Sequence, residues 1–94
     1  MNKNREIQLI LDWLRKDFDI DLPDLPKGAR RDTMECPVAR ALRSRFPHVG
    51  VFEDNFAEDD RLAFRKVKTP LPPVVAEFIY DFDYGYWPEY LEHV

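Results

Sequence analysis

The chain has one cysteine and two histidines among its 94 residues. The lone Cys36 excludes an intrachain disulfide, and a small secreted domain would more often carry several. One cysteine and two histidines do not make a zinc pattern. Asp81-Phe82-Asp83-Tyr84-Gly85 is an acidic run, but it lacks the twelve-residue spacing and the closing glutamate of a calcium loop. No nucleotide motif is present, so no cofactor or metal is expected. No apolar stretch approaches the ~20 residues of a membrane span. The start, Met1-Asn2-Lys3-Asn4-Arg5-Glu6, lacks the apolar run of a signal peptide. A basic surplus is also missing. The net charge of −4 argues against a generic nucleic-acid binder. These absences predict a single cytoplasmic domain, residues 1–94, with no membrane partner.

What is present is enough apolar and aromatic content for a modest core; a chain of this size buries roughly 60–65% of its unfolded surface. The charge is uneven. Residues 25–50 hold six basic and two acidic side chains, net +4, and the rest is net −8. Seven of the thirteen aromatics fall between Phe78 and Tyr90, interleaved with acids.

Ile7, Ile10, Leu11, Leu14 and Phe18 recur at helical spacing and predict a helix over 5–18. Asn4 is placed to cap it, and Asp12 to pair with Lys16 one turn on. Pro23 and Pro26 require it to stop near Asp19. Residues 19–34 then read as one long loop, a length often associated with function. Pro37 suits the first position of a second helix, with Cys36 at its cap and Arg45 in its last turn. Val38, Ala41, Leu42 and Phe46 form its inner face, and Arg40 and Arg43 lie opposite. Val49 to Phe52 and Leu62 to Val67 read as two strands, joined by an acidic hairpin loop over 53–60. A third helix starts at Pro72 or Pro73 and ends at Gly85. Phe78, Tyr80, Phe82, Tyr84 and Tyr86 also alternate at period two, as a strand would. The prolines and Gly85 favour the helix. The predicted fold is small α+β, helix–helix–strand–strand–helix, with a docked C-terminal tail over 86–94.

Two segments taken together carry a resemblance. One is Cys36-Pro37-Val38-Ala39 with Ala41 and Leu42. The other is Leu71-Pro72-Pro73 with Val75, Phe78, Ile79, Phe82-Asp83, Gly85 and Trp87-Pro88-Glu89. The pattern covers about half the chain and resembles a group of small uncharacterised proteins encoded by phages of actinobacteria. The resemblance implies an accessory protein working in a bacterial host cytoplasm. It implies no activity.

Three surfaces invite chemistry. Cys36 at a helix N-terminus could be an activated thiol, but no histidine stands at a recognised spacing, and a packed capping cysteine is the plainer account. Lys27, Arg30, Arg31, Arg40 and Arg43 could grip phosphates; the plainer account is a solvated face offset by neighbouring acids. The sixteen-residue loop is far too long for a helix–turn–helix. In the C-terminal quarter, helical spacing turns Phe78 and Phe82 inward and Tyr80 and Tyr84 outward, beside Glu77 and Asp81. Tyr86, Trp87 and Tyr90 follow. Tyrosine and tryptophan are enriched at interface hot spots, although Trp87 also suits a core plug. Leu9 and Trp13 form a further pair off the main stripe of the first helix, placed to receive the tail or a second copy. The expectation is a non-enzymatic protein that engages a host protein through Tyr80, Tyr84, Glu77, Asp81, Tyr86 and Trp87. The alternative is a nucleic-acid-binding regulator using the five basic residues.

Overall fold

The computed structural model describes residues 3–60 and 65–92. Along the chain run helix α1 (Lys3–Phe18), helix α2 (Pro37–Leu42), strands β1 (Val49–Val51), β2 (Asn55–Asp60) and β3 (Arg65–Pro70), helix α3 (Pro73–Asp83), and a single 3-10 turn at Pro88–Tyr90. The class is α+β, as expected. No described helix is long and apolar enough to cross a membrane.

Helix α1 buries Ile7, Ile10, Leu11 and Leu14 against the core, the stripe its spacing dictates. It takes in Asn4, which is therefore a helical residue and not the cap. Asp12 pairs with Arg15 at 2.8 Å, not with Lys16. The helix ends before the prolines act. Asp19 turns left-handed at φ +56, and its N–H donates to the Arg15 carbonyl at 3.1 Å. Short polar side chains tolerate that conformation. The reversal carries Ile20 back into the core.

Helix α2 is one turn shorter than expected and stops at Leu42. The N–H groups of Arg45 and Phe46 both donate to the Leu42 carbonyl, at 3.0 and 2.8 Å. The chain closes a turn there because Pro47 disfavours a helical Phe46. Arg45 thus sits in the turn and not in the helix.

The sheet has three antiparallel strands in the order β1-β2-β3, where two were expected. The acidic segment 53–60 is not a loop. Only Glu53 and Asp54 turn the chain, closed by the Phe52 N–H donating to the Asn55 carbonyl at 2.8 Å. Asn55 to Asp60 then run as β2. The register sets Asp59 opposite Lys66 and Asp60 opposite Arg65. Phe56 anchors the strand at 2% exposure. The expected alternation of Leu62 and Phe64 lies outside the described residues, and β3 continues to Pro70.

Helix α3 buries Val75, Phe78, Ile79 and Phe82. The period-two alternative is thereby excluded. Gly85, at φ +103, ends it; the Gly85 N–H donates to the Phe82 carbonyl and the Tyr86 N–H to that of Asp81, at 3.2 and 2.9 Å. This is the pair of hydrogen bonds of a left-handed helix terminus.

Two aromatic clusters organise the interior. Phe56 lies within 6.4 Å of Trp13 and 5.6 Å of both Phe18 and Phe46, ring centre to ring centre. Trp13 therefore serves the sheet and not the tail. Phe78 is the second hub, with Trp87 at 5.2 Å and Tyr90 at 6.0 Å. Trp87 is 4% exposed. The Gly28 N–H donates to the Tyr90 carbonyl at 2.8 Å, and the Glu92 N–H to that of Gly28 at 2.9 Å. The C-terminal segment thus docks along the long loop as a parallel bridge.

Candidate functional site

The burial of Phe78, Ile79 and Phe82 fixes which side of α3 faces outward. Tyr80 is 56% exposed, Tyr84 63% and Tyr86 65%. The rings of Tyr80 and Tyr84 stand one turn apart, 4.6 Å between centres and inclined by 34°. Glu77 is exposed and Asp81 half-buried on the same helix. Five of the six residues expected to meet a partner therefore reach the surface. Trp87 does not, because it fills the core beside Phe78.

The loop carrying Arg30 and Arg31 meets the C-terminal end of α3. Arg30 Nε donates to the Phe82 carbonyl at 2.9 Å, and its guanidinium reaches the Gly85 carbonyl at 3.1 Å. The Phe82 carbonyl stands in the last turn of α3, at the negative pole of the helix, so a cation suits it. The Arg31 N–H donates to Asp83 Oδ1 at 2.9 Å. Its guanidinium stands 5.8 Å from the centre of the Tyr84 ring.

The expected basic face is largely committed within the chain. Arg40 Nε donates to Glu35 at 3.0 Å, and its terminal nitrogen bonds the Lys27 carbonyl at 2.9 Å and the Glu92 carboxylate. Arg43 bonds Glu35 at 2.9 Å and the Met34 carbonyl. Arg40 and Arg43 are half-buried, not openly exposed. The hydrogen bond from Arg43, joined by that from Arg40, holds the Glu35 carboxyl below its ordinary range against a desolvation that would raise it. Of the five basic residues, Lys27 and Arg31 are exposed. Arg31 lies beside Tyr84.

Cys36 caps α2 as its position predicts: the Ala39 N–H donates to Sγ at 3.4 Å. The helix terminus does not activate the thiol. Burial pushes its pKa to about 11, outweighing the amide hydrogen bonds. A thiol held protonated at neutral pH is a poor nucleophile.

Beside the tyrosine face, a cleft of about 220 Å³ opens between the 31–33 loop, the β1–β2 turn and α3. Arg31, Thr33, Cys36, Phe52, Ile79 and Asp83 are among the residues that line it. The Val51 N–H donates to the Thr33 carbonyl at 2.8 Å and holds the loop against β1. Phe52 is 44% exposed and lines the cleft from the β1–β2 turn.

No family model matches the chain, and no curated protein or solved structure matches it.

Phe52, Thr33 and Asp83 were not among the expected contact residues. Phe52 reads from sequence as the end of a strand, and nothing local tells that the turn leaves its ring outside. Thr33 and Asp83 are brought together only by long-range folding. Among the described residues, no group of three potential ligands could hold a metal ion.

Proposed function

We propose that this protein is a non-catalytic binding module for another protein, and that its contact surface is the outward face of α3: Tyr80 and Tyr84 with Glu77, Asp81 and Tyr86. The observation that carries the reading is the pairing of Tyr80 and Tyr84, rings 4.6 Å apart, on a helix whose other side is already full. Neither ring supports the core. Rigid amphipathic rings of this kind are the side chains that dominate interface energetics. The resemblance of residues 36–50 and 70–91 to phage-encoded proteins supports a bacterial host protein as the partner.

The test is affinity capture from a bacterial lysate with nuclease present, comparing wild type with Tyr80→Ser/Tyr84→Ser. A host protein held by the wild type and lost from the double variant is expected, the loss corresponding to about 2 kcal/mol or more. Capture that is indifferent to both tyrosines removes the α3 face as the contact surface. Captured DNA or RNA, lost on charge reversal at Arg40 and Arg43, would favour the basic residues instead.

A further inference from the structure

Building on that reading, we infer that the element received by the Tyr80–Tyr84 face is a cationic one: an arginine- or lysine-bearing segment of the partner protein, whose positive group sits on the tyrosine rings between Glu77 and Asp81. From Leu71 to Glu92 the sequence holds five acids and no lysine or arginine. Two of those acids are satisfied within the fold, Asp83 by the Arg31 amide and Glu92 by Arg40. Among the described residues, Glu77 and Asp81 have no basic partner. Asp81 and Asp83 also stand in the last turn of α3, which contains no basic residue. Acids at that end oppose the helix dipole. The fold itself therefore has no use for Asp81 there, whereas an incoming cation would.

The rings add direction to the charge. The negative face of a tyrosine ring attracts a guanidinium or ammonium within about 6 Å of its centre. The molecule already demonstrates this with its own side chain, because the Arg31 guanidinium stands 5.8 Å from the Tyr84 ring centre. Tyr80, 56% exposed, offers a second ring with no cation from the described residues over it. An acidic partner would meet Glu77 and Asp81 as like charges. A purely apolar one would strand them.

The probes are labelled ten-residue glycine–serine peptides bearing four arginines or four glutamates, titrated at low ionic strength into the full chain. The arginine peptide is expected to bind and the glutamate peptide not to. Affinity should fall about tenfold or more in Glu77→Gln/Asp81→Asn and in Tyr80→Ser/Tyr84→Ser. Tyr80→Phe/Tyr84→Phe should retain it, because the ring and not the hydroxyl holds the cation. Thermal melts of each variant verify that it is folded. No binding of the arginine peptide, or equal affinity across the folded variants, overturns the inference. A host protein captured through the tyrosines but indifferent to Glu77→Gln/Asp81→Asn overturns it too, while leaving the binding-module reading in place. Capture indifferent to the tyrosines defeats that reading itself.

Discussion

Gly28 packs directly against Pro37: a β-carbon on Gly28 would stand 2.5 Å from the Pro37 nitrogen, 2.6 Å from the Cys36 carbonyl carbon, and against the Glu35 carbonyl oxygen. All three are backbone atoms at the start of α2, so none can swing aside. The same glycine bonds the C-terminal segment on both sides, to Tyr90 and Glu92. Loop, helix and tail therefore meet at a residue that has no side chain.

Gly28→Ala should accordingly destabilise the domain by at least about 1–3 kcal/mol, the usual range for overpacking a tight site. A thermal melt measures it. A midpoint equal to wild type would mean the loop can retreat from α2 at little cost.

Removing the chain from Trp87 onward should lower stability and not merely shorten the protein. Burying one large aromatic contributes about 1.5–3 kcal/mol, and the truncation also takes away the Tyr90 bond to Asp24 at 2.8 Å and the bridge to Gly28. An unchanged melting midpoint in the truncated protein would show that the second aromatic cluster holds without its tail.

Cys36→Ser should fold with a change within about 1 kcal/mol, because a hydroxyl also caps a helix. Its effect should appear in alkali. Burial raises the thiol from an ordinary 9.0 to about 11. A raised pKa contributes stability that is fully present below the unfolded value and lost as pH rises through the folded one. Wild type should therefore weaken between about pH 9 and 11, by on the order of 2–3 kcal/mol from this group. Tyr90, held protonated by burial and by Asp24, adds its own decline at higher pH. Denaturant melts from pH 8 to 11 should show a shallower loss for Cys36→Ser. Parallel curves would mean that folding does not shift the thiol's pKa.

Glu35→Gln should destabilise at neutral pH, and the deficit should shrink in acid. The Glu35 carboxyl is lowered chiefly by its hydrogen bond from Arg43. A lowered carboxyl stabilises above its unfolded pKa, and the contribution fades as pH falls through the folded value. Melts at pH 7 and about pH 3 separate the two regimes. A constant difference between variant and wild type would assign the effect to packing and not to charge.

How far the sequence discloses this molecule depends on how local each interaction is. Helices α1 and α3 are legible because their apolar stripes are local, and in α3 the starting prolines and Gly85 are near neighbours in the chain as well. The outward turn of Tyr80 and Tyr84 follows from the same spacing. Strand β2 was hidden because Glu58, Asp59 and Asp60 are poor strand formers on their own; the β3 residues that pair with them come later in the chain. Asp19 stopped α1 by its backbone conformation, before Pro23 could. The arginines were the least legible. Arg30 reads as a free surface cation until its partners, 52 and 55 residues away, are known. The capping role of Cys36 was local and readable, whereas its burial, which decides its chemistry, was not.

The grip of the C-terminal segment on the loop has a consequence for the order of events during synthesis. Asp24 waits 66 residues for Tyr90, and Arg30 waits 52 for the Phe82 carbonyl. Helix α1 can coil as soon as it is made, since its bonds are local. The loop that follows it cannot settle, because the groups that hold it have not yet been translated. Pairings so distant in sequence also form slowly. A ribosome-bound chain arrested before Phe82 should therefore leave residues 24–32 open to protease, and the docking surface on α3 would be completed only in the same late step that closes the loop.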